Sequence, residues 1–153
     1  MKIISENRKA KFDYEILDRF DAGIVLNGQE VKSIKTSGAS LNGTYVAFQQ
    51  DKRVKHPELF WVGANVPPYQ PGNIMSNYDT HRPRKLLLNR KEINYLIGKT
   101  KVKGLTLVPL KLYDKNAKLK LEFGIGRGRK KVNKKELLKT RDAEREMRRA
   151  LVR

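Results

Sequence analysis

Apolar residues recur at two-residue steps along residues 14–26, at Tyr14, Ile16, Phe20, Ala22, Ile24 and Leu26. That is the period of a strand with one buried face. The stretch is long for one strand, and Gly23 offers a bend by which it can serve two sides of a barrel. The period changes after Asn27-Gly28. Val31 and Ile34 stand three apart, the neighbour spacing of a helix, and Asn27 precedes Glu30 by three as in a capping box. Asn-Gly also closes hairpins, so helix and hairpin both stay open at this point. On the helical reading Lys32 and Lys35 form one stripe beside the buried one, and Glu30 and Ser33 form another.

Further along, residues 44–49 alternate, with Val46 and Phe48 on one face, and residues 58–66 read as a strand carrying Phe60 and the only tryptophan, Trp61. Trp61 is either core or a base-stacking platform. Ser37-Gly38-Ala39-Ser40 makes a joint after the first helix. Asn89 and Glu92 repeat the cap spacing, Ile93, Leu96 and Ile97 supply a buried stripe, and Gly98 ends a second helix. Residues 105–113 and 118–125 form a hairpin about 114–117. Leu119, Leu121, Phe123 and Ile125 lie on one face, Lys118, Lys120 and Glu122 on the other. Pro109 suits an edge or a bulge. Residues 1–11 read as a polar tether, 51–56 as a charged turn and 67–85 as a long irregular segment broken by Pro67, Pro68, Pro71, Gly72 and Pro83. The pattern predicts a mainly β fold: a small closed antiparallel barrel of the oligonucleotide-binding (OB) type with two or three short helices.

Charge changes this picture most. The 153 residues carry 34 Lys+Arg against 16 Asp+Glu, a net charge of +18. Such an excess repels itself in a compact state, so it implies an anionic partner, with nucleic acid ahead of a membrane surface. From residue 127 to 153 there are twelve Lys+Arg and no aromatic. This divides the chain into a barrel, 1–126, and a basic tail, 127–153, either disordered or a loose helix that orders on an anionic surface. In the irregular segment Tyr69 and Tyr78 are interleaved with His81, Arg82, Arg84 and Lys85, the mixture of rings and cations that irregular RNA favours. Tyr69 serves equally well to pin the loop. Cysteine is absent, and no apolar run marks a signal peptide or a membrane span, which together predict a cytoplasmic protein.

Catalytic patterns are weak. Gly98-Lys99-Thr100 imitates the end of a phosphate-binding loop without its leading glycine. The glycines at 124, 126 and 128 read as a hinge between barrel and tail. His56 and His81 lie on separate loops and indicate neither a metal site nor a general base, and Asp13 and Glu15 share a strand face where acids serve solvation. The reading is a binder, with no catalytic residue, metal or cofactor.

Several segments resemble the SsrA-binding protein (SmpB) family: Asn7-Arg8-Lys9-Ala10, Asp13-Tyr14, AGIVLNGQEVKS from Ala22, RPRKLLL from Arg82 and GLTLVPLKLY from Gly104. The resemblance implies an OB-type barrel that binds the tRNA-like domain of transfer-messenger RNA and enters stalled ribosomes with it, as a monomer on the RNA. Carried over by position, it implies RNA contacts at Asn7, Arg8, Lys9, Glu30, Lys32, Ser33, Lys35 and Tyr45, and at Arg82, Arg84 and Lys85. It implies that the tail lies in the empty messenger channel near the decoding centre, held by Arg127, Arg129, Lys130, Lys131, Lys134, Lys135, Lys139, Arg141, Arg145, Arg148 and Arg149. The chain departs from the family pattern at Ser37-Gly38-Ala39-Ser40, at Asn89 and at Val132-Asn133-Lys134-Lys135.

Overall fold

A computed structural model describes residues 1–49, 56–69, 78–129 and 131–152, with the side chains of the last span described for 138–149. The element order is β1 (Lys2–Glu6), α1 (Arg8–Asp13), β2 (Tyr14–Ile24), α2 (Gly28–Ser37), β3 (Tyr45–Gln49), β4 (Glu58–Val62), β5 (Arg84–Leu87), α3 (Arg90–Thr100), β6 (Leu105–Lys115), β7 (Lys118–Gly128) and α4 (Lys131–Val152).

The seven strands form one sheet, in the order β1-β6-β7-β2-β5-β4-β3, with every pairing antiparallel. The mainly β expectation holds. The closed ladder does not: among the described residues β1 pairs with β6 and β3 with β4, and no hydrogen-bonded ladder joins β1 to β3. A cleft of about 660 Å³ opens beside β1, between it and the 37–42 and 63–67 segments. The sheet still curls, because β3 packs against β6 on the far side of the order.

Two irregularities drive that curl. The β2 register shifts between Ile16 and Asp18 against β7, and the β6 register shifts between Pro109 and Lys111 on the other side of the same strand. Bulges of this kind bend the bulged strand and increase local twist. Gly124 of β7 lies between them, where an added Cβ would meet Asp18 O at 2.7 Å and Ile16 Cγ2 at 2.9 Å. Gly124, Gly126 and Gly128 are strand residues of β7, which runs to Gly128, rather than a hinge. The β6–β7 turn places Asn116 and Ala117 at φ 53° and 63°, the left-handed pair that matches hairpin twist.

Between the sheet faces, Trp61, Phe123, Ile34, Leu41, Leu59, Leu86, Leu96, Leu112 and Leu121 are fully buried. Each large side chain contributes about 1.5–3 kcal/mol by leaving water. Trp61 is thus core, with its ring closed to a nucleobase. A second, smaller cluster of Ala10, Val108 and Leu110, with Tyr14 and Ile16 against it, seats α1 on the sheet.

Two elements depart from the tether predicted for residues 1–11. Residues 2–6 hold two adjacent isoleucines and no alternation to announce a strand, yet β1 adds to the β6 edge. Asn7 then caps α1, its Oδ1 accepting from the Ala10 N–H at 3.1 Å. Arg84–Leu87 is strand where the irregular segment was drawn, and α3 runs through Gly98 to Thr100. The tail is a 22-residue helix from Lys131. The charged-turn residues 51–55, together with Pro71, Gly72 and Lys130, lie outside the described residues, as do the side chains of Lys131, Lys134 and Lys135.

Candidate nucleic-acid interface

The helical reading of Asn27-Gly28 is the correct one. Asn27 Oδ1 accepts from the Glu30 N–H at 2.9 Å while Glu30 Oε1 accepts from the Asn27 N–H at 3.0 Å. The two bonds fix the first turn of α2, and Ile34 buries the inner stripe. Lys32 and Lys35 then fall on the outer surface, one turn apart and exposed. Lys32 Nζ lies 6.0 Å from the centre of the exposed Tyr69 ring, a cation and a planar ring side by side. Lys35 Nζ reaches the Ala117 carbonyl at 3.4 Å, at the tip of the β6–β7 turn.

The Glu30 stripe faces inward. Its carboxylate is fully buried and accepts from Arg82 Nη2 and, at 2.6 Å, from Arg84 Nε. Arg84 is also fully buried, and donates to the carbonyls of Ala64 at 2.9 Å and Thr80 at 3.0 Å. Burial pushes the Glu30 carboxyl up, but the bonds from Arg82, the Asn27 N–H and Arg84 together outweigh it and hold the group below its ordinary value of 4.5. Tyr78 completes this corner by donating to the Val66 carbonyl at 2.9 Å, and burial, then the Glu30 charge, raises its hydroxyl pKa.

Four of the residues expected to contact RNA are thus buried in the chain itself: Asn7, Glu30, Ser33 and Arg84. Asn7 spends its amide on the α1 cap and on the Pro109 carbonyl, to which Nδ2 donates at 2.9 Å. Asn7, Glu30 and Arg84 bond within the frame, Ser33 is buried on the inner side of α2, and their exposed neighbours face outward. Arg8 and Lys9 project from α1, and Lys9 shares a cleft of about 270 Å³ with the exposed Tyr45 of β3. Asn42 lines both this cleft and the larger one beside β1. The α1 cations therefore connect, through the 37–45 segment, with the end of α2. Arg82 is partly exposed and bonds Glu30, and Lys85 is paired with Glu58 at 3.0 Å. Lys11, which the sequence reading did not select, stands on the same α1 turn as Arg8; its i, i+3 spacing was the available signal.

From the tail set, Arg127 is an exposed β7 residue, and Arg129 donates its backbone N–H to the Asp13 carbonyl at 2.9 Å. Lys139, Arg141, Arg145, Arg148 and Arg149 are exposed on α4. Among the described residues there is no group of three or more potential metal-ligating side chains, and no helix is long and apolar enough to cross a membrane.

A curled antiparallel sheet that carries exposed cations on two capped helices and on a long terminal helix defines a β protein built to meet a polyanion. The chain belongs to the SmpB family, whose family model, described as SmpB protein, matches residues 4–153. It is 46% identical over 151 residues to the SsrA-binding protein of Chloroflexus aggregans, covering 99% of this chain and 92% of that protein. The SsrA-binding protein of Acetivibrio thermocellus is 48% identical over 150 residues, covering 98% and 93%. A solved chain described as "tmRNA-SmpB: a journey to the center of the bacterial ribosome" superposes with a TM-score of 0.63 at 40% identity, covering 82% of this chain and 84% of that one.

Proposed function

We propose that this chain is an RNA-binding adaptor that binds the tRNA-like domain of transfer-messenger RNA and delivers it to stalled ribosomes for trans-translation. Family membership over nearly the whole chain carries this reading, and the exposed Arg8, Lys9, Lys32 and Lys35, together with the ring of Tyr45, give it a chemical basis. Lysines and arginines supply sequence-independent phosphate attraction, which suits recognition of a folded RNA by shape. Arg82 and Lys85 stand at the margin of this surface, and the buried Asn7, Glu30 and Arg84 position it from below, with Ser33 buried beside Ile34 on α2. The curled sheet works as a partly open OB-type barrel, a form that admits an unclosed edge.

The chain divides into a barrel, 1–126, and a basic tail, 127–153, that reads the empty messenger channel through Arg127, Arg129, Lys130, Lys131, Lys134, Lys135, Lys139, Arg141, Arg145, Arg148 and Arg149. The protein works in the cytoplasm as a monomer on its RNA, and makes and breaks no covalent bond. Crosslinking in cells, recovery of the protein and sequencing of the bound RNA tests the assignment: transfer-messenger RNA should dominate, and its absence among the crosslinked species overturns the reading. A chain truncated after Arg129 should still bind the tRNA-like RNA and fail to support tagging of truncated polypeptides. Tagging by that truncated chain would refute the division between body and tail.

A further inference from the structure

The tail helix leaves the body beside α1. Tyr14 pairs with Gly128, and the Arg129 N–H bonds the carbonyl of Asp13, the last residue of α1. By about its third turn, α4 brings Arg141 to a cavity of about 280 Å³ that it lines together with Arg8, Lys11 and Phe12. Three cations thus converge on one cavity beside the Phe12 ring, and among the described residues no carboxylate lines it. None of the three has an ion-pair partner among the described residues. At the root of the same helix, Arg129 Nε is buried without a hydrogen-bond partner among the described residues. Like charges that line one cavity add their fields there, which favours the entry of an anion.

We infer that the cavity between α1 and α4 is a phosphate site, in which Arg8, Lys11 and Arg141 together take one phosphodiester of RNA and so fasten the tail helix to the body. Two guanidinium forks and an ammonium offer several donors to a single phosphate, and the fork geometry suits its oxygens. The inference rests on the RNA-binding reading above and adds to it a link between body and tail: the phosphate bridges an α1 residue and an α4 residue, so RNA engagement sets the direction in which the tail leaves. The phosphate comes either from the tRNA-like RNA or from ribosomal RNA.

A double-mutant cycle on the full-length protein tests this. Arg8→Ala, Arg141→Ala and the double variant are titrated over a range of salt against two partners: isolated tRNA-like-domain RNA, and ribosomes carrying that RNA. Arg8→Ala with Arg145→Ala is the control cycle, because Arg145 does not line the cavity. In the arm that supplies the phosphate, each single variant should weaken binding several-fold and lower the salt slope by about one. The double variant should lose less than the sum, while the control cycle is additive. Coupling in either arm supports the site and identifies the source. Additive behaviour in both arms, with the wild type binding normally, overturns it. Failure of the wild type to bind the tRNA-like RNA at all would instead count against the proposed function.

Discussion

Arg84 Nε donates to Glu30 Oε2 across 2.6 Å, and neither side chain touches solvent. The pair joins the first turn of α2 to β5. Each partner spends its remaining capacity locally: Glu30 on the Asn27 N–H and Arg82, Arg84 on the Ala64 and Thr80 carbonyls. A buried ion pair of this kind resists its desolvation cost only when its lone pairs and protons are satisfied, and here they are shared among four segments of chain. The consequence reaches the surface. The axis of α2 is set by this corner, so the outward directions of Lys32 and Lys35 depend on it.

Removing one partner should be costly. Glu30→Ala leaves the Arg84 guanidinium buried without its counter-charge, and a loss of about 3–5 kcal/mol is expected. Glu30→Leu combined with Arg84→Met removes both charges and should recover part of that loss. Urea unfolding monitored through Trp61 measures both; a single variant as stable as the parent would mean that the pair does not hold α2.

The same corner gives the stability an acid limb. The Glu30 pKa is lowered on folding, because the three hydrogen bonds to its charged form exceed the effect of burial. A group depressed in the folded state contributes stability that is complete above its unfolded value and is lost as pH falls through the folded value. Stability should therefore be flat with respect to this group above its ordinary value of 4.5 and decline below it. Glu30→Gln should flatten that decline in a pH series of urea midpoints.

Tyr113 governs the opposite limb. Burial, followed by the bond that its hydroxyl donates to Asp21 at 2.8 Å, pushes its pKa up to about 12 from 10.0. A raised value keeps its stabilising contribution intact below the unfolded pKa, and the contribution is lost as pH rises through the folded one. The window runs from 10.0 to about 12. Tyrosinate absorbance should contain one component titrating late, which Tyr113→Phe abolishes at a cost of about 1 kcal/mol.

Gly124 tests the packing argument. Gly124→Ala sets a methyl against the Asp18 carbonyl at 2.7 Å, a backbone atom that cannot swing away. The expected loss is about 1–3 kcal/mol. At Gly128 nothing lies within 4 Å of an added Cβ, so Gly128→Ala should stay within about 0.5 kcal/mol of the parent. Thermal unfolding of the two variants separates close approach from any general need for glycine in β7.

What the sequence revealed follows the reach of its signals. The Asn27–Glu30 and Asn89–Glu92 caps were legible because both partners stand within one helical turn, and both capping boxes form. The β6–β7 hairpin was legible for the same reason. Arg84 was not: its partners are 54, 20 and 4 residues away, and nothing in Arg82-Pro83-Arg84-Lys85 marks which cation turns inward. The edge strand β1 and the six-residue α1 were too short for a period to emerge. The open β1–β3 boundary depends on how far the bulges curl the sheet, which alternation alone does not encode. For the candidate interface, residue types and helix faces pointed to Lys32 and Lys35 as exposed, whereas the burial of Asn7, Glu30, Ser33 and Arg84 became visible only from the packing.

The exposed α2 stripe carries the most direct functional prediction. Lys32 and Lys35 are outside the buried corner, so Lys32→Glu with Lys35→Glu should leave urea unfolding close to that of the parent. Their loss should reduce affinity for the tRNA-like RNA, and the slope of log affinity against log salt should fall by about one for each phosphate contact removed. Restoring charge with arginine at both positions should restore the slope, because the field at the phosphate depends on the cation and not on the lysine stem. Tyr69→Leu, which removes the ring beside Lys32 Nζ, should weaken binding with the slope unchanged if that ring stacks on a base. A slope that stays constant when both lysines are reversed would place the phosphate contacts elsewhere on the protein, leaving α2 as a support for another face.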